Sequence, residues 1–156
     1  MPARKTAKST AARRTVSRSR NHSKVIEVSA GLVFRKGKLL ISQRRDEDHL
    51  GGLWEFPGGK RHADESFEAC LSRELLEELA IEVKVGALIE TLEHAYAEKT
   101  VLLKFFKCRW IAREPQALGC QAFAWIGRGE LADYEFPKAD QRVLARLMGD
   151  DQLWLE

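Results

Sequence analysis

The chain has 156 residues, of which 44% are apolar and 31% charged, and a net charge of +3. That is one domain of ordinary size with the balance of a soluble globular protein. No apolar run reaches the roughly 18 residues needed to cross a bilayer, and no h-region follows the basic N-terminus. A membrane or secreted protein is therefore not indicated, and the expected location is cytoplasmic.

Residues 1–24 carry eight bases and no acid, which leaves 18 bases against 23 acids for the rest of the chain. Residues 1–23 hold Val16 as their one sizeable apolar side chain after Met1. Such a segment cannot offset its ordering entropy and reads as a disordered basic tail, ahead of a domain at 24–150. The tail has three readings: a solubilising extension, a nonspecific contact to nucleic acid, or an organelle-targeting peptide.

Val25 to Phe34 reads as a strand, Arg35 to Lys38 as a glycine turn, and Leu39 to Ile41 as the return strand of a hairpin. Residues 45–53 read as a loop. Trp54 to Phe56 reads as a short strand stopped by Pro57-Gly58-Gly59. Phe67, Leu71, Leu75 and Leu79 recur every four residues, which predicts a helix over Ser66 to Ala80 with Ser66 as N-cap and Glu68 at the positive end of its dipole. Two or more strands follow within 81–111, Ala122 to Ile126 suggests another, and Pro137 precedes a last helix with Val143, Leu144 and Leu147 on its apolar side. Strands and helices mix without regular βαβ alternation, so the expected class is α+β with a mixed sheet. Cys70, Cys108 and Cys120 form no C-x-x-C pair and read as small buried hydrophobes.

At about 100° per residue, Glu74, Glu77 and Glu78 share one helix face. Like charges at these spacings repel, and on this reading no Lys or Arg one turn away offsets them. A hard divalent cation would resolve the conflict, because Mg²⁺ or Mn²⁺ prefers carboxylate oxygens and takes phosphates as further ligands. Gly58, Gly59 and Lys60 lie upstream, where a glycine backbone can come close to a ligand and a lysine can meet a phosphate.

The joint spacing is more specific. From Gly59, five residues lead to Glu65, and seven more lead to Arg73-Glu74-Leu75-Leu76-Glu77-Glu78-Leu79-Ala80-Ile81. This resembles the Nudix box, G-x5-E-x7-R-E-U-x-E-E-x-G-U, with Ala80 in place of the second glycine. Gln43-Arg44, His49, Trp54 to Lys60, and Phe136 to Asp140 resemble the MutT-like branch, which removes oxidised nucleoside triphosphates.

The resemblance implies a Nudix fold, a mixed sheet between helices, and a Mg²⁺-dependent hydrolase that splits a nucleoside triphosphate into a monophosphate and pyrophosphate. Mn²⁺ would be able to substitute. It implies Glu74, Glu77, Glu78 and the Gly58 carbonyl as metal ligands. Arg73 and Glu65 would hold the box in shape, and Glu74 is a candidate base. Arg44, His49, Phe56, Lys60 and Asp140 would meet the substrate. Some relatives carry a further glutamate where this chain has Gly119, so Glu98 or Glu114 are substitutes to consider. Well-known MutT enzymes have asparagine at the Asp140 position. An aspartate can accept from guanine N1–H and N2–H₂ or from a cytosine amino group, so 8-oxo-dGTP and modified cytosine triphosphates both stay open. Other substrates consistent with the box are nucleoside diphosphate derivatives and 5′-triphosphorylated RNA. A non-catalytic binding module is the competing class. A monomer or a homodimer is expected.

Overall fold

A computed structural model describes residues 24–156; the tail expected to be disordered lies outside the described residues. The sheet is built around β1 (Lys24–Arg35), whose residues from Ser29 to Phe34 are all buried. Along one edge it pairs in parallel with β6 (Lys99–Ala112), from Lys24 opposite Lys99 through Phe34 opposite Arg109.

The other edge of β1 is shared. Its end, Val33 to Arg35, forms the expected hairpin with β2 (Lys38–Gln43). Its middle, Val28 to Ala30, pairs with β4 (Gly58–Lys60). Gly31, between these partners, donates its N–H to the Pro57 carbonyl at 2.8 Å. β2 continues past this split, flanked by β3 (Trp54–Glu55) and β7 (Ala122–Ile126). β5 (Glu82–Ala95) closes the other side by pairing with β6. The result is one seven-stranded mixed sheet.

Alternation along the strands divides the core in two. Leu32, Phe34, Leu39 and Ile41 pack with Val143, Leu144 and Leu147 of α2 (Gln141–Gly149). Val33 and Leu40 face the opposite way, onto Leu71, Leu75 and Leu79 of α1 (Phe67–Leu79). Each such side chain stabilises the fold by about 1.5–3 kcal/mol on burial, and together they fix a helix on each face. The α+β expectation holds.

α1 begins where its sequence predicts. The Ser66 hydroxyl accepts from the Ala69 N–H at 3.0 Å. The helix ends at Ala80, whose φ of 57° is left-handed and whose N–H meets the Leu75 and Leu76 carbonyls. The position therefore asks for glycine, and an alanine there bears a Cβ penalty. The departure at Ala80 touches how the helix stops and leaves the carboxylate face alone.

Two expectations need correction. Pro57-Gly58-Gly59 does not simply stop a strand: Gly58 and Gly59 are themselves extended within β4. Glycine is required at position 58 by proximity, since a Cβ there would lie 1.9 Å from the Ser29 carbonyl oxygen. The packed chain also continues beyond residue 150. A 3-10 turn, Asp151–Trp154, buries Leu153 and sets Trp154 edge-on to Phe34 at 5.2 Å. The three cysteines are free and buried, as read.

Candidate active site

A cleft of about 640 Å³ opens beside β4. One part of its wall comes from α1 and β4 and carries Glu74, Glu78, Gly58, Gly59 and Lys60. Another comes from β3, β6 and the segment ahead of α2, and carries Phe56, Phe105 and Asp140. The split edge of β1 places these walls together: Pro57 anchors on Gly31, so Phe56 and Gly58 lie on either side of one fixed point.

Arg73 organises the α1 wall. It grips Glu65 through two nitrogens, at 2.9 and 2.6 Å, and donates to the Lys60 carbonyl at 3.1 Å. Its third nitrogen reaches Glu74 at 2.9 Å and Glu77 at 3.2 Å. The expectation that no base offsets the carboxylate face is thus wrong: Arg73 lies one turn before Glu77 and binds both carboxylates. The bidentate guanidinium brings the Glu65 carboxyl down to about 2, aided by the His62 N–H, and keeps Arg73 protonated.

Glu78 lacks such help. No hydrogen bond or ion pair to its side chain is present among the described residues. Burial pushes its carboxyl up to about 7, with Glu74 and Glu55 adding to the shift. Its stem rests against Gly119, where a Cβ would fall 2.8 Å from Glu78 Cγ. The Leu118 and Gly119 amides both donate to the Glu78 carbonyl at 3.0 Å. Position 119 therefore has no room for a glutamate while Glu78 is placed this way. Neither proposed substitute fills the gap: Glu98 and Glu114 are absent from the cleft wall, and Glu114 pairs with Arg35.

The donor chemistry fits a divalent cation of the oxygen-seeking kind. Glu74 folds over Gly59, which a Cβ would prevent at 2.2 Å from the carboxyl carbon, and Glu74 and Glu78 both reach the cleft. Glu77 does not line it; its side chain is 57% exposed and paired with Arg73. Among the described residues no three acidic, His or Cys side chains converge into a closed cage. Mg²⁺ needs none, since it commonly takes one or two carboxylates and completes its shell with water and phosphate.

The expected substrate residues divide. Arg44, Phe56, Lys60 and Asp140 line the cleft. Phe56 is both core and wall, stacked on Phe136 at 5.1 Å and edge-on to Phe105 at 5.9 Å. Arg44 is already engaged, with Glu55 at 2.8 Å and the His49 carbonyl at 2.6 Å. His49 contributes that carbonyl and no ring to the wall; Asp48 and Leu50 flank the cleft instead. His94 is exposed at the cleft rim with its ring 4.4 Å from Tyr96.

Asp140 sits at the N-cap of α2 yet makes no side-chain capping bond. It is only 6% exposed and has no hydrogen-bond partner among the described residues. No fully enclosed polar atom there lacks a partner, so its oxygens contact the open cleft. Burial and then the field of Glu55 raise its carboxyl to about 7. The motif from Trp54 to Lys60 contains Glu55 without marking a role for it. The available signal was one charge between Trp54 and Phe56 in an otherwise apolar run.

A NUDIX domain family model matches residues 29–146. The chain belongs to the Nudix family, and fold, box and cleft together make it a Nudix hydrolase. Its relatives place it in the MutT-like branch. It is 36% identical over 125 residues to the CTP pyrophosphohydrolase of Escherichia coli K12, covering 80% of this chain and 93% of that protein. It is 36% identical over 121 residues to the putative 8-oxo-dGTP diphosphatase 2 of Mycobacterium tuberculosis H37Rv, covering 77% and 86%. The solution structure of the E. coli ORF135 protein superposes with a TM-score of 0.69 at 35% identity, covering 80% and 89%. As in the family generally, the hydrolytic chemistry is tied to a divalent cation.

Proposed function

We propose that the protein is a Mg²⁺-dependent nucleoside triphosphate pyrophosphohydrolase. Water and the triphosphate yield a monophosphate and pyrophosphate, and oxidised nucleotides such as 8-oxo-dGTP are the substrates cleared from the cytoplasmic pool. The observation that carries this reading is one cleft joining the carboxylates of α1 to an aromatic wall that ends in Asp140. Names borne by relatives agree with it.

The residues divide the work as follows. Glu74, Glu78 and the Gly58 carbonyl would hold the cation, with Glu77 released from Arg73 as a further ligand. When bound, the cation lowers the pKa of water and screens phosphate charge. Arg73 and Glu65 lock β4 to α1, so that the ligands keep their spacing. Lys60 meets the phosphate chain as a point charge. Glu74 is the candidate base, paired with the Arg73 guanidinium at 2.9 Å. Phe56 packs against the base and Asp140 reads its edge.

A second substrate reading, cytosine triphosphates, draws support from the burial that raises the Asp140 carboxyl to about 7 and so brings its neutral form within reach. A neutral carboxyl donates one hydrogen bond and accepts another, which matches cytosine N3 and its amino group; a carboxylate accepts two, which matches guanine N1–H and N2–H₂. The test is pyrophosphate release from normal and oxidised triphosphates, with and without Mg²⁺, by the native protein, Glu74→Gln and Glu78→Gln. We expect Mg²⁺-dependent turnover of at least one member and a loss of 10²-fold or more in each variant. No turnover of any triphosphate would sink the triphosphate pyrophosphohydrolase reading. Preference for a cytosine or a guanine nucleotide decides between the two substrates.

A further inference from the structure

Among the described residues, Glu55 is the one acidic residue of the cleft wall that is held by a base from outside the Nudix box. Arg44 binds its Oε2 at 2.8 Å and is itself fixed on the His49 carbonyl. One carboxylate oxygen is thereby tethered. Its other oxygen, Oε1, has no partner among the described residues, and since no fully enclosed polar atom there is unpaired, Oε1 opens onto the cleft.

Its place along the cleft follows from its neighbours. Glu55 ends β3, directly before Phe56 of the aromatic wall and three residues before Gly58 of the α1 wall, and all three line the cleft. Glu55 therefore stands where the two walls meet. Burial raises its own carboxyl in spite of Arg44, as expected of an oxygen short of a donor.

A nucleoside triphosphate has few groups that suit such an oxygen. Its phosphates only accept hydrogen bonds, and their charge repels a carboxylate. Its base lies beside Asp140. What remains between phosphate and base is the sugar, whose hydroxyls donate. We propose that Glu55 accepts a hydrogen bond from a pentose hydroxyl through Oε1, and so selects nucleotides that carry that hydroxyl. The assignment rests on the nucleotide reading given above.

The test measures kcat/KM with Mg²⁺ for CTP, dCTP, 3′-deoxy-CTP and 2′,3′-dideoxy-CTP, with the guanine series alongside, for the native protein, Glu55→Gln and Glu55→Ala. Thermal melts confirm that each variant folds. The native enzyme should lose about 10- to 100-fold on the analogue lacking the contacted hydroxyl, the cost of an unpaired polar group in a half-buried site. Glu55→Ala should lose a similar factor on the hydroxylated substrate and almost nothing on that analogue, so the discrimination collapses. Glu55→Gln, which keeps an accepting oxygen, should retain part of it. The comparison of the 2′- and 3′-deoxy series names the hydroxyl.

Equal losses on all sugars in Glu55→Ala would show that the residue only positions Arg44, and would overturn the proposal. So would a native enzyme indifferent to the sugar. Failure to turn over any triphosphate is a different result, since it removes the nucleoside triphosphate reading itself.

Discussion

Glu65 and Asp140 are carboxyls shifted in opposite directions, and their effects on stability run opposite ways with pH. Glu65 falls from its ordinary 4.5 to about 2 because Arg73 and the His62 amide bind the ionised form. Its contribution is complete above about 4.5 and is lost as pH falls toward 2. Urea unfolding between pH 5 and pH 2.5 should therefore be less steep in pH for Glu65→Gln than for the native protein. Asp140 rises from 3.8 to about 7 through burial and the Glu55 charge. The folded form keeps the proton that the unfolded chain has released, so stability declines as pH rises from about 4 to 7 and the penalty is full above that. Asp140→Asn should gain on the native protein across that interval and hold a constant advantage above it. A variant whose advantage is the same at pH 4.5 and pH 8 would contradict this account.

At the scale of the element, α1 offers two substitutions of opposite sign. Ser66→Ala removes the acceptor for the Ala69 amide and should cost about 1 kcal/mol. Ala80→Gly removes a Cβ from a left-handed position, φ 57°, and should gain about 0.5–1 kcal/mol net of the added freedom of the unfolded chain. Both are read by chemical denaturation, and neither should change metal-dependent turnover beyond about twofold. Both ends of this helix were legible because capping and apolar spacing are local properties. β4 was not. Gly58 and Gly59 look like the stop of a strand until Ser29 is placed against them, and that contact joins positions 29 residues apart. The same blindness concealed how Arg73 serves three carboxylates at once. The i,i+4 step to Glu77 was countable, whereas Glu65 reaches the same guanidinium through a loop.

At the scale of the molecule, the two-sided core was expected from the family resemblance, but its limit was drawn too early. The domain was expected to end at residue 150, yet Leu153 returns to the core and Trp154 hydrogen-bonds the Leu147 carbonyl at 2.8 Å. Deleting residues 151–156 should destabilise the protein by about 3–5 kcal/mol, as loss of a buried leucine with its aromatic neighbour would; a loss under 1 kcal/mol would show that this turn is ornamental to the fold. Of the candidate site, the box residues were legible because their spacing in sequence is their spacing on one helix. Glu55 and His94 were not, because a cleft wall is assembled from strands whose mutual placement no short window contains.

The parallel pairing of β1 with β6 has a consequence for how the chain comes into being. Residue 24 meets residue 99, and residue 34 meets residue 109, so the innermost strand has its longest partnership with a segment 75 positions later. A chain leaving the ribosome at about 5–20 residues per second would hold the apolar side chains of β1 without that partner for roughly 4–15 s. Refolding in vitro should likewise be slow for a domain of this size, since closing so long a loop precedes the contacts that reward it. Nascent chains arrested before residue 99 should be protease-sensitive through β1, and those arrested well beyond residue 126 should not.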